Sequence, residues 1–589
     1  RLPTYMVPSE IFLLDEIPLT PHGKPNRAAL VALTENARLT GMGGEPVNEV
    51  EDVLAGIWAE AFNLEMVGRD DDFFDLGGDS LLAAVVSARI NDSLGVTVDM
   101  ESFNTHSTVA GMGSFVQDSL EKMLALGTGK PATIPKWESL TGPLSYLEER
   151  LWAMFKDPKI QQAYNMGAYH EIKGALNVLL FRECINTVLQ RHEVFSTAYT
   201  QTDAGAQRTI REFCPVEIPL HDLSDDPDAE AAIQATRHAL VAVPFDFEHG
   251  PLVRMELFKL GPENYRLVRI HSHLISDGWS WKVFFKDLAE CYAAAMERRE
   301  PSLKPLRLQY SDFAAWQRTF MARDGGQFQK QLAWWKDQLS GGAQPVALPF
   351  RRDTPISDAT PEDGNLTWGI PARTSLALDR LGRVERATYY MTRLAGFAAT
   401  IGSLTGQTDF VIGSYATNRD RVELQDIFGF FANLVTLRFN YDRTMTFRSW
   451  LGRVRTLVTE VHGRADLPYE VLCQELRQGG VEPPEVRVIF SISGRLPPMS
   501  VAGLQIMPVK GRSHRMPWGM SLLFHRWTES QDCNCNFDAN LYESEGMRAL
   551  LETYKTMLAL VAEFPDVPMH QLHERAHADK GANLNLQKA

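Results

Sequence analysis

The spacing of apolar residues changes period near the middle of the chain. Residues 265–273, YRLVRIHSH, are rich in branched and aromatic side chains and predict a strand. Over residues 281–295 the apolar positions recur at helical spacing and predict a helix. Strand-like and amphipathic helical runs alternate from about residue 137 to about residue 575, so this large region is predicted to be α/β or α+β.

The chain must turn between the predicted strand and the predicted helix. His273 lies at the strand end, and Gly278 permits a tight turn. Ser276 or Asp277 is suited to cap the first free amides of the helix. A histidine beside a helix N-terminus is well placed for acid–base chemistry, because the amides there stabilise a developing negative charge.

Three interpretations of this histidine compete. It is a buried histidine held by a turn, a metal ligand together with His271 and Asp277, or the catalytic histidine of an acyl transferase. The metal interpretation lacks a clean third ligand at motif spacing elsewhere in the chain. We therefore expect no metal.

A second pattern, over residues 48–120, predicts a small helical domain. Two amphipathic helices flank a loop that ends in Gly77, Gly78, Asp79 and Ser80. Their apolar stripes are Val53, Leu54, Ile57, Trp58 and Phe62 in the first, and Leu81, Leu82, Val85, Val86 and Ile90 in the second.

Ser80 has three interpretations of its own. It is an ordinary N-cap serine, a nucleophile on a sharp elbow, or an attachment site open to a modifying enzyme. The elbow interpretation fails, because Leu82 occupies the second glycine position of the Gly-x-Ser-x-Gly pattern.

Length and charge limit the remaining possibilities. The 589 residues exceed what one core accommodates, so several domains are expected. The formal net charge of −15 argues against nucleic acid as the main partner and against a polybasic membrane patch. No signal peptide and no apolar run of membrane-spanning length is evident. Because the chain begins at Arg1 rather than Met, we expect a piece of a longer protein.

The six cysteines give no sign of a metal site or a disulfide framework. Only Cys533 and Cys535 are close in sequence, and their spacing suits neither a zinc knuckle nor a redox pair. We expect reduced structural thiols in a cytoplasmic protein.

The loop before Ser80 resembles the signature of peptidyl carrier domains. Residues 75–81 read DLGGDSL, and the resemblance covers the whole small domain. It implies that Ser80 carries covalent 4′-phosphopantetheine. Upstream, LPTYMVP at residues 2–8 and PHGKPNR at residues 21–27 resemble the closing motifs of adenylation domains of nonribosomal peptide synthetases. In that family Lys24 would contact the acyl adenylate, although Pro25 and Asn26 replace the usual Val-Asp.

The large region resembles a condensation domain of the same synthetases, with motifs in order along its full length. The central family motif, His-His-x-x-x-Asp-Gly, stands here as SHLISDG at residues 272–278. The other matching segments are LSYLEERLW at 144–152, RHEVFST at 191–197, YSDFAAWQ at 310–317, residues 412–419, GFFAN at 429–433, and DLPYE at 466–470.

The resemblance implies roles for several residues. His273 keeps the position of the histidine usually held to be catalytic, while Ser272 replaces the more structural first histidine. Asp277 is expected to give structural support, and the amide of Gly278 to stabilise the oxyanion. Since Ser196 replaces an arginine that could have paired with Asp277, the supporting residues are taken to be Arg419 or Arg191 and, from its motif, Asn433.

The implied fold is a small four-helix carrier bundle followed by a two-lobed α/β domain like chloramphenicol acetyltransferase, a V-shaped pseudo-dimer with the histidine in a tunnel. The predicted boundaries are 1–38 for the adenylation remnant, 39–47 for a linker, 48–120 for the carrier, 121–136 for a second linker, 137–305 for the N-lobe, 306–575 for the C-lobe and 576–589 for a tail.

The implied reaction is aminolysis of a thioester, which forms a peptide bond. The carrier in this chain would be the donor, and its partners would be a downstream aminoacyl carrier, an upstream adenylation domain and a phosphopantetheinyl transferase. Two alternatives remain: an epimerisation domain, favoured by Ser280 and Trp281 after the motif, and a catalytically silent recruitment platform, favoured by Ser272 and Ser196.

Overall fold

The computed structural model describes residues 44, 46–62, 64, 66–94, 96–126, 134–155, 157–203, 205–322, 326–352, 363–385, 387–419, 421–493, 499–509, 519–525 and 532–575. The chain divides into two compact units, Arg1–Pro131 and Ala132–Ala589. The predicted adenylation remnant with Lys24, most of the first linker and the tail lie outside the described residues.

In its described part the first unit contains four helices around an aromatic core. The helices are α1 (Glu49–Phe62), α2 (Ser80–Leu94), α3 (Met100–Thr105) and α4 (Val109–Leu126). Trp58 and Phe103 are buried against Phe73, with ring centroids 5.2 Å from Trp58 to Phe73 and 4.5 Å from Phe73 to Phe103. Helix α4 extends six residues into the segment predicted as a linker from residue 121.

The second unit alternates strands and helices, as the apolar pattern predicts. Its elements in chain order are β1 (Thr141–Pro143), α5 (Tyr146–Met154), α6 (Pro158–Ala163), β2 (Asn165–Lys173), α7 (Val178–Arg191), β3 (Thr197–Thr202), β4 (Gly205–Ile210), β5 (Leu220–Asp222), α8 (Ala229–Ala242), β6 (Val253–Gly261), β7 (Asn264–Ser272), α9 (Ser280–Glu297), α10 (Tyr310–Phe320), α11 (Gly326–Leu339), β8 (Asp363–Gly369), α12 (Ala372–Val384), α13 (Tyr389–Thr405), β9 (Asp409–Ala416), β10 (Asn433–Asn440), α14 (Phe447–His462), α15 (Tyr469–Gln478), β11 (Val488–Ser493), β12 (Met499–Val501), β13 (Leu504–Val509), β14 (Met520–His525), β15 (Asp532–Asp538) and α16 (Ser544–Glu563).

Two six-stranded sheets organise this unit. The sheet of the N-terminal half has the order β12-β13-β2-β7-β6-β5, and the sheet of the C-terminal half has the order β10-β9-β11-β14-β15-β8. Strand β7 is buried along most of its length between β2 and β6, which it pairs antiparallel on either side. Helices α7 and α9 pack against each other beside this sheet. The observed fold is therefore a two-lobed α/β domain.

Two strands from the second half of the unit cross the predicted boundary between the lobes at residue 305 and join the sheet of the first half. Strands β12 and β13 come late in the chain, yet β13 pairs antiparallel with β2, from Gln505 opposite Lys173 to Val509 opposite Tyr169. The paired residues are more than 300 positions apart in the chain, and no local sequence pattern predicts that they meet. A contiguous C-lobe from residue 306 thus gives two strands to the sheet of the other half.

Two further features of the described residues are the state of the cysteines and the apolar content of the helices. All six cysteines are reduced thiols; Cys214 is exposed and the other five are buried. Among the described residues, no helix combines the length and apolar content that a bilayer crossing requires.

Candidate active site

The turn between β7 and α9 begins at His273. A 3-10 turn covers His273–Ile275 and is capped by Ser272, whose Oγ accepts a hydrogen bond from Leu274 N at 3.3 Å. The amide of His273 donates to Tyr164 O at 3.0 Å. These bonds fix the histidine backbone at the strand end, where the sequence predicts it.

The imidazole of His273 is held in one tautomer. Its Nδ1 lies 2.9 Å from Ser276 O, and because a carbonyl oxygen only accepts, Nδ1 carries the proton. Within the described part of the chain no group bonds to Nε2, which is therefore the basic nitrogen. The ring is half-buried and meets Phe430 edge to face at 5.0 Å.

Burial lowers the pKa of His273 below its ordinary value of 6.5, and the Arg150 cation lowers it further. The Ser276 carbonyl and the Asp277 carboxylate oppose this shift without cancelling it. The ring is consequently neutral at pH 7, as a general base must be.

Asp277 ties the turn to the other half of the unit. It is buried, and its Oδ1 accepts bonds from Ser280 N at 2.9 Å and Ser280 Oγ at 2.8 Å. Arg419 Nη2 lies 3.2 Å from Oδ1 and 3.4 Å from Oδ2, and Phe431 N donates to Oδ2 at 3.1 Å. Both carboxylate oxygens are satisfied, so the contacts are those of a brace.

Of the two arginines that the sequence leaves open, the structure pairs Arg419 with Asp277. Arg419 is fully buried and also donates through Nη1 to Leu424 O and Ile427 O, both at 2.7 Å. Arg191 instead pairs with Asp287 at 2.9 Å and donates to Lys304 O.

Asn433 lies in a different network. Its Nδ2 donates to Ala465 O at 2.8 Å and Leu467 O at 2.9 Å, and its Oδ1 accepts from Tyr469 N at 3.2 Å. It therefore holds the loop of the 466–470 motif at the start of α15, and its contacts do not include His273.

Gly278 differs from the expectation in one respect. Helix α9 begins at Ser280, so the amide of Gly278 precedes the helix by two residues rather than lying at its start. Gly278 is exposed, and a Cβ added there would meet nothing within 4 Å. No described residue accepts a bond from its amide, which leaves this N–H available to a substrate.

His271 is turned away from His273 into the core. Its Nδ1 lies 2.8 Å from Arg269 Nη1, and its Nε2 lies 3.1 Å from Trp281 Nε1. Trp281 Nε1 also lies 3.2 Å from Ser276 Oγ, which links the buried network to the residue that orients His273. In the described ranges, no cluster of three possible metal ligands occurs.

The loop before α2 has its own geometry in the first unit. Gly77 has a positive φ of 100°, and a Cβ on Gly78 would lie 2.2 Å from the Phe73 ring. Asp79 Oδ1 accepts the bond from Leu82 N at 2.8 Å, so the capping acceptor is Asp79 and α2 begins at Ser80. Because Asp79 caps the helix, Ser80 is not needed as its N-cap.

Sequence reasoning overlooks several neighbours of the histidine. The sequence suggests Ser276 as a cap, but it acts through its backbone carbonyl. Tyr164 carries no local signal, and Phe430 lies in the matching segment 429–433 without any sign that its ring meets His273. Arg150 and Glu470 lie in two of the matching segments and form an ion pair at 2.9 Å. Only the occurrence of both residues in motifs points to them, and nothing in the sequence indicates the pairing.

Two family models match this chain. The family model described as Condensation domain matches residues 139–580. The chain belongs to the condensation-domain family. A second model, Phosphopantetheine attachment site, matches residues 52–116 and contains the loop before α2. In this family the attachment domain carries covalent 4′-phosphopantetheine on a serine.

Several synthetases are among the proteins that this chain resembles. One component of the linear gramicidin synthase of Brevibacillus parabrevis is 31% identical over 580 residues, which is 97% of this chain and 7% of that protein. The first condensation domain of the calcium-dependent antibiotic synthetase has a TM-score of 0.63 at 19% identity, covering 74% of this chain and 98% of that one.

A second solved structure has the same fold in another setting. The X-domain solved in complex with OxyB from teicoplanin biosynthesis has a TM-score of 0.65 at 22% identity, over 76% of this chain and 98% of that one. At these identities the solved structures establish the fold alone. The chain also spans only a small part of its curated synthetase relatives, 7% and 10% of the first two.

Proposed function

We propose that the second unit forms peptide bonds by aminolysis of a carrier-bound acyl or peptidyl thioester. The observation that supports this most is the state of His273: a neutral ring, Nδ1–H committed to Ser276 O, and a basic Nε2 without a described partner. A thioester is already activated, so a positioned base and two positioned substrates suffice. Positioning alone can supply up to about 7–11 kcal/mol of the barrier.

Each residue of the site has a task in this proposal. Nε2 of His273 receives a proton from the attacking amine or holds it by a hydrogen bond. Asp277 and Arg419 keep the turn in place, and the amide of Gly278 donates to the oxyanion of the tetrahedral intermediate. The C–N bond forms, the C–S bond breaks, and the departing thiolate takes up a proton.

The first unit would supply the donor. We assign the attachment of 4′-phosphopantetheine to Ser80, since Gly77, Gly78 and Asp79 shape the loop and cap α2 without it. When bound, this group supplies the thiol that carries the acyl chain. A phosphopantetheinyl transferase would install it, and the four helices would form the carrier bundle.

The proposed setting is a longer synthetase in the cytoplasm. Residues 1–38, with Lys24, would be the end of an adenylation domain, and an aminoacyl carrier beyond residue 589 would bring the amine. The two sheets of the second unit would form the pseudo-dimer of the chloramphenicol acetyltransferase fold.

The test loads the carrier of the full chain with an acyl group from acyl-coenzyme A and offers a separate aminoacyl carrier. Amide on the separate carrier supports the proposal and its direction. In a second arm Ser80 carries an aminoacyl group and the separate carrier an acyl group. Amide on Ser80 in that arm would show that the donor and acceptor roles are reversed.

The same assay separates the alternatives. A D-aminoacyl carrier would indicate epimerisation, and no change in either carrier would indicate a recruitment platform. One observation favours the recruitment-platform alternative: the X-domain solved in complex with OxyB has the same fold.

A further inference from the structure

An ion pair between the two halves of the second unit lies beside the histidine turn. Arg150 on α5 holds Glu470, in the first turn of α15, with 2.9 Å between Arg150 Nε and Glu470 Oε1. Helix α5 packs against both the 3-10 turn that begins at His273 and helix α15. The pair is therefore next to the candidate base, whose pKa the Arg150 cation lowers.

The second oxygen of Glu470, Oε2, has no hydrogen-bond partner in the part of the chain that the structure describes. Among the buried carboxylate oxygens of the described residues, Glu470 Oε2 alone lacks a hydrogen bond. Both oxygens of Asp277, the other carboxylate beside the turn, are taken. Since a buried acceptor without a donor is costly, this oxygen is a place where a ligand N–H would be stabilised.

The surroundings of Glu470 suit a positively charged group. Burial raises the pKa of Glu470, and the Arg150 cation and the backbone N–H of Glu470 itself only partly oppose this shift. Burial also raises the pKa of Tyr164 to about 12, so its hydroxyl stays neutral; its charged neighbours are Arg150 and Glu470. A carboxylate that shares its charge with one arginine retains an acceptor oxygen for a second cation.

We propose that Glu470 binds the α-amine of the acceptor, in its ammonium form, through Oε2, and delivers it to His273. This rests on the proposed function. A thioester carbonyl or an oxyanion is repelled by a carboxylate oxygen, whereas an ammonium donates to it, so the occupant is the amine. Arg150 holds Oε1 and so fixes the direction in which Oε2 points.

The proton balance is simple. One N–H of the ammonium donates to Oε2, which stays a carboxylate, while another proton leaves by way of His273 Nε2. The C–N bond then forms, the C–S bond breaks, and the second proton that the nitrogen loses goes to the departing thiolate. When the acceptor arrives as ammonium, one proton in total is released to solvent.

The test compares two small acceptors on the full chain, with the acyl group loaded on its carrier. One is an aminoacyl pantetheine thioester, whose amine is charged at pH 7; the other is its aminooxy analogue, whose nitrogen is uncharged. For Glu470→Gln we expect kcat/KM with the charged acceptor to fall roughly 10-fold to 100-fold, the range of a charged hydrogen bond. With the aminooxy acceptor the loss should be about threefold or less.

Two controls keep the result interpretable. Glu475→Gln makes the same chemical change on the same helix and should leave both rates at the wild-type level. The ratio between the two acceptors is measured on one preparation, so any loss of folded protein cancels.

Glu470 has no role in amine binding if Glu470→Gln leaves both rates unchanged or lowers them equally. A wild-type chain that makes no amide with either acceptor would overturn the proposed function and, with it, this inference.

Discussion

The two units each present a functional candidate at a junction between a turn and a helix, and the two junctions are capped alike but surrounded differently. Asp79 accepts a hydrogen bond from the amide of Leu82 in α2, three residues further along the chain. Asp277 accepts one in the same way from the amide of Ser280 in α9. Asp79 is half-buried, whereas Asp277 is buried and also bonded to Arg419 and Phe431 of the other half. In the proposed function, a local cap would be enough to present Ser80 for modification. The turn that carries the proposed base is held more firmly, because Asp277 also makes long-range bonds.

The largest expected difference between the junctions is at the carrier. Ser80→Ala should abolish attachment of phosphopantetheine while leaving the helices intact, because the cap belongs to Asp79. Intact-protein mass after incubation with a phosphopantetheinyl transferase and coenzyme A measures this, with circular dichroism for the fold. A mass gain in the variant would assign the group to another residue.

At the second junction, His273→Ala should lower amide formation by roughly 10²–10⁴-fold, the range of a lost general acid–base group. Hydrogen exchange of α9 should stay unchanged, since Asp277 and Arg419 remain in place. A loss below about tenfold would indicate that His273 only positions the amine.

The two caps differ in the stability they give. Asp277→Ala leaves Arg419 buried without its carboxylate and should cost about 3–5 kcal/mol. The matched change, Asp79→Ala, removes a helix cap and should cost about 0.5–2 kcal/mol. Hydrogen exchange of α9 and α2 amides during mild urea titration compares them in the intact chain. Equal costs would contradict the difference drawn between the junctions.

The smallest effect concerns the proton of His273. Burial lowers its pKa, so the ring should titrate below 6.5, and the neutral base is lost only as pH falls through that lower midpoint. NMR titration of the ring, assigned with His273→Gln, measures the midpoint. A value at or above 6.5 would mean that Asp277 and Ser276 outweigh burial.

Much of the fold is predictable because its signals are local. The period of apolar residues predicts strand β7 and helix α9, and it places α1 and α2 on either side of the glycine loop. Turn residues predict where His273 and Ser80 stand. Errors are also local: α9 begins at Ser280, beyond Gly278, and α4 runs into the predicted linker.

The sequence by itself determined the order of elements, the positions of His273 and Ser80, and the presence of Asp277 as a brace, because each follows from spacing within a few residues. Only the tertiary structure decided that Arg419 rather than Arg191 meets Asp277, 142 residues away, and that β13 joins β2. It also decided that Arg150 holds Glu470 beside the histidine. Such pairings depend on which surfaces the folded halves bring together, and no local pattern encodes a partner that distant.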